Sequence, residues 1–200
     1  MGQVLCYRGC KSLLFFSVLG LLFFSSCRST RSFTSPLPEE YSIRMSKSSA
    51  SGYKNVKRVR KYEFTHRDVP AAFDGCRLGF VSDLHYRSLL KEKGLRDITR
   101  LLNDLRLDAL LIGGDLHEGC EYVPDVIAAL GAVKTPLGTY AVLGNNDYEA
   151  CYDDILKEME RQGIHLLEHE ADTLKRNGGR IVIAGVRNPF NLGQNGQSPT

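Results

Sequence analysis

The chain has no tryptophan among its 200 residues. Its other shortages exclude more. There is no Gly-x-Gly-x-x-Gly and no P-loop, so the usual dinucleotide and nucleotide-phosphate cradles are missing. No internal repeat recurs, which leaves out solenoids and propellers. No unbroken apolar run reaches the ~20 residues of a membrane-crossing helix. Cysteine is present six times, but never as Cys-x-x-Cys, and only Cys76, Cys120 and Cys151 lie past residue 60. An odd, widely spaced trio is neither a zinc site nor a disulfide framework. It fits small buried residues with one incidental pair. The apolar share of 42% and charged share of 24% exclude collagen-like, coiled-coil and wholly disordered chains.

The net charge of +3 conceals an asymmetry. Residues 1–60 hold ten of the 26 Lys/Arg but only Glu39 and Glu40 of the 23 acids. A basic leader therefore precedes an acidic body. Arg8 and Lys11 flank an apolar stretch from Leu13 to Phe24, interrupted by Ser17 and Gly20. Basic flank and short apolar core read as a signal peptide over residues 1–27. Ser25-Ser26-Cys27 resembles a bacterial lipoprotein processing site, with Cys27 as the lipidated residue. Phe24 departs from the aliphatic residue usual there, and a plain secretory signal cut near Ser26 is the alternative. Residues 28–52, rich in Ser and Thr, read as a flexible tether. Its basic residues suit an anionic membrane surface. It lacks the aromatic interleaving of a nucleic-acid module, so no nucleic-acid partner is expected. The expected address is the cell envelope or periplasm, exported and membrane-anchored, where disulfides are tolerated.

From about residue 53 the texture is that of a domain. Val56, Val59, Tyr62 and Phe64 suggest an edge strand. Apolar strands follow at 77–82, 109–112 and 139–143, alternating with helical periodicity over 92–106, around 123–130 and over 149–162, the last stopping at Gly163. Further strands are expected near 164–174 and 180–186. Alternating strands and helices imply a largely parallel sheet, with ligands beyond the carboxyl ends of its strands.

Three clusters stand at those ends: Asp83-Leu84-His85, Gly114-Asp115 and Gly144-Asn145-Asn146-Asp147. On an extended backbone, Asp83 and His85 would share a side and grip one divalent ion. Asp115, on the neighbouring strand, has two oxygens and can bridge two ions. Asn145 offers a neutral oxygen to the second. A nitrogen and oxygen donor set without thiolate suits Mn, Fe or Zn.

These motifs, in this order, resemble those of the calcineurin-like metallophosphoesterase superfamily. Ser82-Asp-Leu-His-Tyr86 and Leu143-Gly-Asn-Asn-Asp-Tyr148 look closest to its exported or membrane-associated bacterial phosphodiesterases. The resemblance implies an α/β fold, a four-layer αββα sandwich, with two divalent ions. Asp83 and His85 would hold the first ion, Asp115 both, and Asn145 the second. A metal-bound hydroxide would attack a phosphodiester in line. Asn146 stands where the family usually has a substrate-facing histidine. It can donate a hydrogen bond but no proton. Asp147 would steer its neighbours from behind. The family's later metal-binding histidines, including Gly-His-x-His, have no counterpart before Thr200. Residues 53–200 therefore read as the N-terminal portion of the domain, with an uncovered apolar face. The substrate is a phosphate ester, lipid-linked if the membrane address selects it. The rival expectation is an inactive remnant or envelope lipoprotein with at most one weak metal site. Among other candidates, His66 reads as surface and His117 as able to approach the site. His165 and His169 read as sharing one strand face ~13 Å apart. Glu118, Glu121, Asp153 and Asp154 read as helix-end or solvated charges.

Overall fold

From residue 78 onward, short apolar strands alternate with amphipathic helices, and the helices all pack on one face of the sheet. The computed structural model describes residues 3–7, 42–48, 50, 52–148 and 150–188. Its parallel centre is β4 (Leu78–Ser82), β5 (Ala109–Ile112), β6 (Thr139–Ala141) and β7 (Ile164–Leu166), in that order. The register pairs Leu78 with Ala109, Leu110 with Thr139, and Thr139 with Ile164. The crossovers are α1 (Glu92–Asp104), α2 (Val123–Gly131) and α3 (Tyr152–Gln162). Helical spacing puts Leu95, Ile98, Leu101 and Leu102 of α1 on one buried stripe. Val126, Ile127 and Leu130 of α2 and Ile155 and Met159 of α3 join them against Val81, Leu110 and Ile112. Asp153 and Asp154 occupy the first turn of α3, Arg161 the last, and Gly163 ends it at φ 66°, each where the helix dipole or a left-handed cap favours it.

The other face of the sheet is covered by an antiparallel hairpin, β8 (Glu170–Arg176) and β9 (Gly179–Gly185). Its turn residues Asn177 and Gly178 both have positive φ, as a tight two-residue hairpin turn requires. Leu174 and Ile181 pack against Leu78, Ala109, Tyr140 and Leu167. An apolar pocket of about 160 Å³ remains between the sheets, with Phe80, Leu111, Leu167 and Ile183 in its walls. Helices, main sheet and hairpin are three of the four layers of an αββα sandwich. Among the described residues no helix covers the outer side of the hairpin, where Val182 is 60% exposed.

The N-terminal side differs from expectation. The strand foreseen near 56–64 is β3 (Val59–Thr65), and it is not an edge. β2 (Ser42–Ser48) pairs with it antiparallel on one side. β1 (Gln3–Tyr7) pairs with it in parallel on the other side and joins it to β4. Both additions fall in segments read as tether and leader. β2 buries no face, with Ile43 and Met45 each 54% exposed, so its alignment comes from backbone pairing that hydropathy does not record. Residues 8–41, and with them Cys27 and the apolar core of the leader, lie outside the described residues.

The segment 164–174 is not one strand. His169 turns the chain at φ 58°, and β7 and β8 belong to different sheets. His165 and His169 therefore share no face. His165 stacks on Tyr140 with ring centroids 5.1 Å apart. Helix α3 begins at Tyr152 rather than 149, because Asn145–Tyr148 form a 3-10 turn first.

Candidate metal centre

The three Asp/Asn/His clusters converge at the carboxyl-terminal edge of the parallel strands. The pairing of β4 with β5 continues beyond their ends. Asp83 N–H donates to Gly114 O at 3.0 Å, His85 N–H to Asp115 O at 3.0 Å, and Tyr86 N–H to Leu116 O at 2.9 Å. This loop-to-loop ladder lays Asp83 and His85 alongside Asp115. Donor atoms of Asp83, His85 and Asp115 all lie within 4.8 Å of one another.

The route to this grouping is not the expected one. Asp83, His85 and Asp115 have φ values of 54°, 40° and 53°. The Asp-x-His segment is a left-handed turn rather than an extended strand, so period-two alternation is not what unites its side chains. Asp tolerates this region better than most residues, yet each such residue costs on the order of 1 kcal/mol or more. Close backbone approach completes the cradle. A Cβ on Gly114 would stand 2.0 Å from Gly144 N, and one on Gly144 would stand 2.2 Å from Asp115 Oδ1.

Asp147 anchors the arrangement from beneath. Its side chain is fully buried. It accepts the Asp115 N–H at 2.7 Å, the Leu116 N–H at 3.1 Å and the Gly144 N–H at 2.8 Å. One carboxylate thus ties the β5 loop to the β6 loop. Burial pushes its carboxyl up, against the downward pull of these three N–H groups and nearby His117. Asn146 faces the group. Its backbone N–H donates to Asp115 Oδ1 at 3.2 Å, and its amide nitrogen lies 3.4 Å from His85 Nδ1. Asn145 is exposed at the rim, and its amide donates to Asn146 Oδ1 at 2.8 Å.

Glu118 has a different place from the one the sequence suggests, and His117 approaches the site from beneath. Glu118, read as a solvated charge, puts Oε1 2.5 Å from His85 Nδ1. A carboxylate there accepts a hydrogen bond from Nδ1–H, which keeps the proton on Nδ1 and leaves the Nε2 lone pair free for a metal. No local pattern reveals this, because it depends on the β5 loop folding back over the β4 loop. His117 lies beneath the site rather than in the cleft, only 3% exposed. Its Nδ1 accepts the Gly119 N–H at 3.1 Å. Its Nε2 stands 3.8 Å from Asp147 Oδ1 and has no hydrogen-bond partner among the described residues. Cys120 and Cys151, the incidental pair, form a disulfide between the segments that follow these two loops. His66 stacks on Phe64, while Asp153 and Asp154 keep their helix-end role.

Two carboxylates and an imidazole fit a divalent ion of the Mn, Fe or Zn type by donor chemistry. Fold and donor set together define an α/β protein with a metal-type centre at its strand ends. The calcineurin-like phosphoesterase family model matches residues 76–193. The chain belongs to the calcineurin-like phosphoesterase family. An uncharacterized metallophosphoesterase of Aquifex aeolicus is 28% identical over 133 residues, 64% of this chain and 48% of its own length. A zebrafish "transmembrane protein with metallophosphoesterase domain" is 26% identical over 134 residues, 64% of this chain and 31% of its own. An uncharacterized metallophosphoesterase of Helicobacter pylori is 32% identical over 111 residues, 55% of this chain and 29% of its own. The chain thus spans less than half the length of these relatives. No solved structure matches it significantly.

Proposed function

We propose that this chain carries the metal-binding core of a phosphodiesterase. The observation that carries the reading is the convergence of Asp83, His85 and Asp115 within 4.8 Å, in a chain of a phosphoesterase family. In this reading Asp83 and His85 hold a first divalent ion, Asp115 is shared, and Asn145 serves a second. The ions would supply Lewis-acid activation of water and stabilise charge building on phosphorus. Asn146 donates a hydrogen bond to a phosphoryl oxygen from its place beside His85. It has no proton to give a leaving group, which favours diesters with good leaving groups. Asp147 holds the Asp115 backbone still while this happens, and Glu118 holds the His85 ring.

The address proposed for it is exported and membrane-held. The Cys120–Cys151 disulfide supports an oxidising compartment, and two relatives are named transmembrane proteins. Among the described residues no helix is long and apolar enough to cross a membrane. A lipid-linked phosphodiester is the substrate class such an address would select.

The test uses the full chain with Mn²⁺ and bis-p-nitrophenyl phosphate. Asp83→Asn with Asp115→Asn is expected to reduce hydrolysis to background. Equal turnover by wild type and variant would refute the assignment. A second reading, a remnant with one weak ion, is favoured by the exposure of Asn145 and by the one three-donor group found among the described residues. Calorimetric titration with Mn²⁺ separates the two: two tight sites support the enzyme, one weak site the remnant. In the same titration Glu118→Gln should weaken Mn²⁺ binding about tenfold. An unchanged affinity would make its contact with His85 incidental.

A further inference from the structure

A second polar cluster stands beside the metal group and is not used by it. Tyr148 follows Asp147 directly, and Tyr152 opens α3. Their rings stack with centroids 5.7 Å apart. Glu168, just past β7, accepts both hydroxyls, at 2.5 Å from Tyr148 and 2.6 Å from Tyr152. Burial and the Glu168 carboxylate push the Tyr152 hydroxyl up to about 12 and that of Tyr148 higher still. Both phenols therefore remain donors, and both Glu168 oxygens are engaged.

Arg187 lies over this pair, its Cζ 4.8 Å from the Tyr148 centroid and 5.8 Å from that of Tyr152. Gly185 brings it there. A Cβ at Gly185 would stand 2.4 Å from Leu167 O and 2.8 Å from Val142 Cγ1. Leu167 and Val142 directly follow β7 and β6, so the bare glycine lets the end of β9 close on the same sheet edge that carries the metal group.

The guanidinium is oriented but not consumed. Its Nε is 3.6 Å from Glu168 Oε1, beyond a good hydrogen bond. Among the described residues it makes no hydrogen bond at all, and its side chain is 40% exposed. Two aromatic faces and a carboxylate behind it hold the plane, leaving a rigid fork of N–H donors suited to phosphoryl oxygens.

We propose that Arg187 is the anion-binding group of a substrate subsite beside the metal centre, its fork taking a non-bridging phosphoryl oxygen while Tyr148, Tyr152 and Glu168 hold it in place. The inference rests on the phosphoesterase reading. The bland alternative is a surface arginine that merely fastens β9 to α3.

The full chain and its Arg187→Ala, Arg187→Lys and Tyr152→Phe variants decide between these. Three quantities are measured: KM and kcat with Mn²⁺ and bis-p-nitrophenyl phosphate, calorimetric binding of inorganic phosphate to the Mn²⁺-loaded protein, and the melting midpoint. Arg187→Ala should raise KM and weaken phosphate binding about tenfold or more, with Mn²⁺ stoichiometry and midpoint unchanged. Arg187→Lys keeps the charge without the fork and should recover only part of the loss. Tyr152→Phe, which removes one hydroxyl, should shift KM in the same direction by less. Unchanged KM and phosphate affinity in Arg187→Ala would overturn the subsite, and so would losses that follow a lowered midpoint across the variants. Absence of wild-type turnover would sink the phosphoesterase reading alone. The phosphate arm still decides the subsite: binding lost in Arg187→Ala supports it, while absent or unaltered binding overturns it.

Discussion

Asp147→Ala is expected to destabilise the domain by roughly 3–5 kcal/mol, a large share of a typical folding free energy. The carboxylate is fully buried and receives three backbone N–H groups, two from the β5 loop and one from the β6 loop. Bonds to a charged acceptor contribute about 1.5–3 kcal/mol each. Their sum exceeds the expected loss, because keeping a charge in that place is itself costly. The upward push on its carboxyl by burial is the sign of that cost. Removing the side chain leaves three buried donors without their acceptor. Asp147→Asn keeps one acceptor but turns an NH₂ toward donors, so it should fall between alanine and wild type. Urea denaturation measures the loss, and Mn²⁺ titration should report a parallel fall in affinity as the Asp115 backbone is released. An unfolding free energy within about 0.5 kcal/mol of wild type would show that the carboxylate does not hold the loops.

Opening the Cys120–Cys151 disulfide should cost roughly 3–4 kcal/mol, the chain-entropy value for a loop of this size. The bond joins cysteines 31 residues apart, with Cα atoms 5.1 Å from each other. Cys120 follows the Asp115–Glu118 segment, and Cys151 caps α3 just beyond Asn145–Tyr148. The linkage therefore confines the two loops that Asp147 also binds, and its loss should loosen the metal group as well as the fold. Cys120→Ser, Cys151→Ser and the double variant should lose similar stability, since each removes the whole bond. Their denaturation midpoints, with and without reductant, provide the check. A wild-type midpoint indifferent to reductant would contradict the expectation.

The elements that carry Asp147 and the Cys120–Cys151 bond were only partly legible in the chain. Helices α1 to α3 are visible in the chain because each buries one side, which leaves a period, and strands β4 to β6 because burial on both faces makes them short apolar runs. The positions of Asp83, His85, Asp115 and Asn145 at strand ends were equally visible, since each directly follows an apolar run. β2 was not, because its pairing uses backbone groups that every residue carries. The division of 164–174 into two strands was hidden for a related reason. His169 adopts a left-handed turn without the glycine that usually marks one.

The cooperation between loops lay further out of reach. His85 with Glu118 spans 33 residues, Asp115 with Asp147 spans 32, and Tyr152 with Glu168 spans 16. No helical or strand period links such positions. The sequence by itself determined the family, the alternation of strand and helix, and the placing of Asp83, His85 and Asp115 just past neighbouring strands. Only the tertiary structure decided that Asp83 and His85 meet through left-handed turns, that Glu118 steadies His85, and that Arg187 lies over Tyr148 and Tyr152 beside Glu168. The physical reason is range. Periodicity records burial between neighbours in the chain, whereas hydrogen bonds, ion pairs and disulfides between loops are set by where the strands end in space.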